Sequence, residues 1–228
     1  MTTKKRNSLF KSTAFRILYP LSKKYLSKER NYSYKGINIK VFPGVFHPGF
    51  FYSTKILLNF LEKIELNKKF ILELGAGTGL ISIYASKQGG FVTASDINLT
   101  SINNIEKNAE LNSTKIEVIH SDLFDRVPKR KYDYIIINPP YYKKQPTTLK
   151  EFAWFCGDDF QYFRKLFTQL PNRIDRNTNV LMILSDQADI ESIEHIGVAN
   201  SFLMEEIFQK RTLGENHFII KIKQIDSV

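Results

Sequence analysis

The feature that most constrains this chain is the run Phe70-Ile71-Leu72-Glu73-Leu74-Gly75-Ala76-Gly77-Thr78-Gly79-Leu80, in which a short apolar segment leads into a glycine-rich loop that opens a helical stretch, Leu80–Lys87. Strand, loop and helix in that order are the opening unit of a nucleotide-type site in an α/β fold. Glycine lets the backbone turn sharply and approach a ligand closely, in dihedrals that side chains forbid. Apolar runs recur at Phe91–Asp96, 116–119, Tyr134–Ile137 and 180–184, and the pattern predicts helices over 54–64, Leu99–Leu111, 159–170 and 188–199. The C-terminal end departs from this alternation. Residues 204–209 and 218–223 are apolar segments joined by a polar loop containing Gly214, which predicts an antiparallel pair. Lys35-Gly36-Ile37-Asn38 predicts a separate hairpin upstream.

The chemistry of the loop narrows its ligand. Its spacing is GxGxG rather than GxGxxG, and Glu73 precedes it. A carboxylate there opposes a pyrophosphate and suits the ammonium of an amino-acid moiety, which favours S-adenosylmethionine (SAM) over a dinucleotide. Asp96 ends the next apolar run about 20 residues on, the separation expected of a ribose-binding carboxylate. A further acid, Asp122 in His120-Ser121-Asp122-Leu123, can accept a hydrogen bond from an adenine amino group; the alternative is the cap of a following turn.

Asn138-Pro139-Pro140-Tyr141 follows the apolar run Tyr134–Ile137. An amide or exocyclic base nitrogen is a poor nucleophile because its lone pair is delocalised. The Asn138 side-chain oxygen can accept one N–H of such a group, and the Pro139 carbonyl, whose residue has no competing N–H, can accept the other. Tyr141 supplies a flat ring for stacking. The alternative is a loop stiffened by two prolines.

In this order the motifs resemble the class I SAM-dependent methyltransferases, and among them the amino-methyltransferases with an NPPY signature. The resemblance covers roughly residues 36–224. It implies a Rossmann-like, mostly parallel seven-stranded sheet closed by an antiparallel hairpin. It further implies Asn138, Pro139 and Tyr141 as catalytic residues, with Pro140 beside them in the acceptor site. Glu73, Gly75, Gly77, Asp96, Asp122 and Leu123 are implied around SAM. Two further stretches look like the family that methylates a glutamine of translation release factors: Val41-Phe42-Pro43-Gly44-Val45-Phe46-His47-Pro48 with Ser53-Thr54, and Phe152-Ala153-Trp154-Phe155-Cys156-Gly157-Asp158-Asp159. The segment Phe50-Phe51-Tyr52 before Ser53 and the basic, polar Tyr142-Lys143-Lys144-Gln145 depart from that pattern. The resemblance implies a release-factor-like protein glutamine as the leading acceptor, with an RNA or DNA adenine as the alternative. His47, in the proline segment, is a candidate substrate contact.

Composition fits one catalytic domain over 36–228: the 228 residues are 43% hydrophobic and 13% aromatic, enough for one large core. No apolar stretch of about 18 residues is present to span a membrane. The single cysteine, Cys156, excludes an internal disulfide framework and suits a reducing compartment such as the cytoplasm. It reads as a packing residue, since methyl transfer from SAM needs no thiol nucleophile. The four histidines, His47, His120, His195 and His217, lack metal-ligand spacing, so no metal is expected.

The net charge of +10 is concentrated. Residues 1–35 hold ten lysines and arginines against one acid, Glu29. This basic N-terminal arm, interleaved with Phe10, Phe15, Tyr19 and Tyr25, reads as helical, with Pro20 interrupting any single long helix. Its possible uses are packing on the domain, binding a polyanion such as RNA through phosphate neutralisation and stacking, or targeting.

Overall fold

Seven apolar runs of alternating facing collect into one sheet in the computed structural model, which describes residues 27–225. Most of the basic arm, and with it the helical reading, lies outside the described residues. What is described of the arm enters a two-stranded hairpin, β1 (Arg30–Tyr34) paired antiparallel with β2 (Ile37–Val41) about the expected Lys35-Gly36 turn. The sequence boundary between residues 35 and 36 therefore falls in the turn between two paired strands.

The main sheet comprises β3 (Phe70–Leu74), β4 (Phe91–Asp96), β5 (Ile116–His120), β6 (Tyr134–Ile137), β7 (Asn179–Ser185), β8 (Phe202–Thr212) and β9 (Glu215–Gln224). Their spatial order is β5-β4-β3-β6-β7-β9-β8. β5 through β7 run parallel, and β9 pairs antiparallel with both β7 and β8. The expected hairpin is longer than its apolar segments, because polar residues at its solvent-facing positions continue the ladder up to the Leu213-Gly214 turn.

Period-2 facing divides the core. Leu72, Leu74, Ile135, Ile137, Val180, Met182 and Leu184 point to one side, where they meet Phe163, Leu166 and Phe167 of α4 (Gln161–Gln169) and Ile193 and Ile196 of α5 (Ile190–Ala199). Ile71, Ile136, Leu181 and Ile183 point to the other, against Ile56, Leu57, Leu58 and Leu61 of α1 (Tyr52–Leu61) and Leu80, Ile81 and Ile83 of α2 (Leu80–Lys87). Each such side chain contributes about 1.5–3 kcal/mol by leaving water.

Helix ends show what local chemistry adds. The side chain of Asn98 caps α3 (Leu99–Leu111) by accepting from Thr100 N at 2.9 Å, and Asp189 caps α5 by accepting from Ser192 N at 3.2 Å. The latter starts that helix at Ile190 rather than 188. α4 starts at Gln161 rather than 159 because Phe160, buried in the core, holds a left-handed φ of 55°.

Asn104 and Asn108 on α3, with Asn112 at its C-terminal cap, do work that a neighbouring strand would otherwise do. The Asn108 Oδ1 accepts from Lys40 N at 2.8 Å and Asn104 Oδ1 from Phe42 N at 3.0 Å, while both side-chain amides donate to Lys40 O at 2.8 Å. Asn112 reaches Asn38 O at 2.7 Å. The i, i+4, i+8 spacing puts them on one helix face. They satisfy the edge of β2 that β1 leaves unpaired, and so anchor the chain entering residues 42–51.

Candidate active site

The chain runs outward from β3 through β4 to β5, then returns to β6 on the other side of β3. This reversal opens a crevice beyond the carboxyl ends of the strands, where open α/β sheets bind ligands. Glu73, residues 75–78 of the glycine loop, Asp96, Asp122 and Asn138 all lie at that edge and line one pocket.

On the β3–β5 side the backbone is held closely. Gly75, Gly77 and Gly79 have φ of 70°, 56° and 76°, the left-handed region that glycine tolerates. A Cβ on Gly75 would stand in open space within the pocket, and one on Gly77 would come only to 4.0 Å of Phe46 and Val45. That open cradle is what a ligand resting on bare backbone requires. The Ser95 carbonyl accepts from Gly75 N and Ala76 N at 2.9 and 3.0 Å. Asp96 holds the loop as well, accepting from Gly77 N on Oδ2 and from Asn98 N on Oδ1, each at 2.9 Å. Burial raises its pKa, against the opposing pull of these N–H groups. The Ser101 side chain bonds this carboxylate as well, so three of its roughly four acceptor sites are in use and one remains for a ligand hydroxyl.

Glu73 is 4% exposed and accepts a short hydrogen bond from Ser82 Oγ. Desolvation pushes its pKa up to about 8, so a neighbouring ammonium would be a strong stabiliser of its charged form. Asp122 pairs through Oδ2 with Lys165 Nζ at 2.6 Å, and Lys165 also reaches Asp125 Oδ2 at 2.7 Å. These groups are part-exposed, so the pairs fix orientation more than they stabilise the fold. Leu123, with φ 49°, packs its side chain against the core and lines the pocket beside Asp122 and Tyr162.

The acceptor side is built differently. The Asn138 Nδ2 donates to Ser53 Oγ and Thr54 Oγ1, both at 3.3 Å, from the first turn of α1. With the amide nitrogen so occupied, Oδ1 is the free polar end of the side chain. Pro139, Pro140 and Tyr141 line the pocket with it. The Tyr141 ring lies 5.0 Å from that of Tyr142, packs against the core, and has its hydroxyl pKa pushed up to about 12 by burial. Tyr142 binds the following segment by strand-like bonds, Tyr142 N to Trp154 O at 3.1 Å and Cys156 N to Tyr142 O at 3.0 Å. This brings Trp154 to Phe46 and Phe51, with ring centroids 4.8 to 5.2 Å apart, as an aromatic corner of the pocket.

The structure separates His47 from this group. Phe46 and Pro48 line the pocket, but His47 between them is 5% exposed, packed against Tyr32 and Phe50, with Nδ1 accepting from Gly49 N at 3.0 Å. Burial lowers its pKa and keeps it neutral. Its ring packs between Tyr32 and Phe50 and does not line the pocket with the other candidate residues. Cys156 is 2% exposed, with its thiol pushed up to about 11 by burial, and is inert at neutral pH. Ser53, Thr54, Phe46, Phe51, Trp154, Ser82 and Tyr162 all border the site with no role assigned to them by sequence reasoning. Phe46, Ser53, Thr54 and Trp154 fall in the two stretches that resemble the release-factor glutamine family, whereas Ser82 and Tyr162 carried no local sign. Among the described residues there is no cluster of three metal-ligating side chains, and no helix is long and apolar enough to cross a membrane.

A glycine cradle, a buried acid beneath it and a second buried carboxylate at the end of the next strand, all at this switch point, are the arrangement of a class I SAM-dependent methyltransferase. The chain belongs to the methyltransferase small domain family, which it matches over residues 36–209. It is 34% identical over 160 residues to a Methanocaldococcus jannaschii protein provisionally named protein N5-glutamine methyltransferase, covering 66% of this chain and 77% of that one. It is also 31% identical over 126 residues to the ribosomal RNA small subunit methyltransferase C of Hamiltonella defensa, covering 54% of this chain but only 37% of that protein. Among solved structures it resembles the T. thermophilus 16S rRNA N2 G1207 methyltransferase bound to AdoMet and guanosine, with a TM-score of 0.61 at 17% identity over 85% of this chain and 50% of that one.

Proposed function

We propose that the enzyme methylates the side-chain amide nitrogen of a glutamine in a release-factor-like protein. The observation that carries this reading is the anchored Asn138: its amide nitrogen is taken by Ser53 and Thr54, so its oxygen is left to accept an N–H of a planar amino group. The 34% identity to a relative provisionally named for glutamine methylation supports the amide over other flat acceptors.

SAM, when bound, supplies a methyl group on a positively charged sulfur and leaves as S-adenosylhomocysteine. The protein's part is placement. Glu73 would face the ammonium end, the Gly75–Gly77 backbone would lie against the ligand, Asp96 would hold the ribose and Asp122 the adenine amino group. Asn138 Oδ1 and the Pro139 carbonyl accept the two N–H bonds of the acceptor and turn its lone pair toward the methyl group, with Tyr141 beneath the amide plane. Alignment of this kind can supply much of the barrier reduction. Transfer would exchange the methyl carbon–sulfur bond for a nitrogen–carbon bond, and the surplus proton on nitrogen would leave to solvent when the methylated product is released. The aromatic corner of Phe46, Phe51 and Trp154 keeps water from the reacting atoms.

A second reading, methylation of an adenine amino group in RNA, draws on the ribosomal RNA methyltransferase relative and on the basic arm. Labelled methyl transfer from SAM into extract of cells lacking this gene separates the two. Protease-sensitive label that maps to a release-factor glutamine is the expected result; nuclease-sensitive label overturns it.

A further inference from the structure

The glycine loop is supported from a third direction that no sequence motif marks. Asn108 on α3 is fully buried, and its Nδ2 donates both to Lys40 O of β2 at 2.8 Å and to Thr78 O of the glycine loop at 2.9 Å. One turn earlier Ile105 lies under Gly79, where an added Cβ would meet its side chain at 3.1 Å. The loop peptides before Thr78 are held from β4, by Ser95 O and Asp96 Oδ2. The peptide of Thr78, which lines the pocket, is held through Asn108 to the β1–β2 hairpin.

We infer that Asn108 is a positioning residue for SAM: it ties the Thr78 carbonyl to the β2 edge and so makes the N-terminal hairpin part of the structure that shapes the cofactor loop. Asn104 supplies the internal comparison. It is equally buried, sits on the same helix face and bonds the same strand, accepting from Phe42 N and donating to Lys40 O, but among the described residues its bonds stop there and do not reach the glycine loop. Loss of Asn104 leaves Phe42 N, and loss of Asn108 leaves Lys40 N, without its partner, while Lys40 O keeps one of its two donors; either loss destabilises the fold. Only loss of Asn108 also frees Thr78 O beside the ligand.

The test compares Asn104→Asp with Asn108→Asp in the full-length protein. Each substitution keeps a bond acceptor for β2 and removes the donor, and each buries one carboxylate. Thermal midpoints and SAM dissociation constants by calorimetry are read together, with Asn104→Ala and Asn108→Ala, which bury no charge, used if an Asp variant does not fold. The expected result is a comparable drop in midpoint for both positions, with SAM affinity weakened about fivefold or more only at Asn108. Equal SAM affinity in the two variants, or a larger loss at Asn104, overturns the inference. This rests on the SAM site described above, and Asp96→Ala serves as its control. If Asp96→Ala leaves SAM affinity intact, the site assignment itself fails.

Discussion

The two halves of the pocket are built on different principles. The cofactor half, β3 to β5 with the glycine loop, is backbone held by backbone and by buried acids: Ser95 O and Asp96 fix the loop peptides at 2.9–3.0 Å. The acceptor half is a set of side chains brought from distant positions, with Ser53 and Thr54 meeting Asn138 some 84–85 residues later and Trp154 meeting Phe46 and Phe51. A ligand common to many enzymes can be met by a local motif, whereas an acceptor particular to one enzyme is met by an assembly. Cofactor affinity and turnover should therefore respond to different substitutions.

The largest expected effect is on turnover. Asn138→Ala should lower kcat by about a hundredfold or more, because the acceptor nitrogen loses its alignment; steady-state methyl transfer measures it. Next, Asp96→Ala should weaken SAM binding by about ten- to a hundredfold, the range for lost hydrogen bonds to a charged group. Unchanged binding by calorimetry would remove Asp96 from the ribose site. A smaller effect, about tenfold in kcat, is expected of the double substitution Ser53→Ala with Thr54→Val, since the Asn138 amide then loses both partners and is free to rotate. Equal activity in that variant and the parent would show that the two hydroxyls do not orient it.

Glu73 gives a pH test on the cofactor side. Its ordinary value is 4.5 and burial raises it to about 8, so the folded protein keeps a proton that the unfolded chain releases. Its contribution to stability is complete below pH 4.5 and is lost as the pH rises through about 8. The SAM-free protein should accordingly lose thermal midpoint across that window, and Glu73→Gln should flatten the loss. A parallel profile in the variant would assign the pH dependence to other groups. The smallest effect is predicted for Cys156→Ala, which should leave turnover within about twofold because only packing changes.

The same contrast governs what could be read from the amino acids. Leu80–Lys87 and Leu99–Leu111 follow directly from their apolar periodicity and flanking residues, and the sheet edge bearing Glu73, Asp96, Asp122 and Asn138 follows from strand–loop–helix order. The start of α4 did not follow, because it depends on Phe160 holding a left-handed dihedral inside the core. The packing of His47 was not legible for a related reason: in an irregular segment no fixed period says which of Phe46, His47 and Pro48 faces the pocket. The bonds of Asn104 and Asn108 to Lys40 were also hidden, since asparagines at helical spacing look the same whether solvated or bonded to another element 64–68 residues away.

The most direct test of the division is SAM binding and methyl transfer measured on one preparation of Asn138→Ala. Calorimetric SAM affinity equal to that of the parent, together with loss of transfer, is the predicted result. Parallel loss of affinity and transfer would contradict it, and would place Asn138 in the cofactor half.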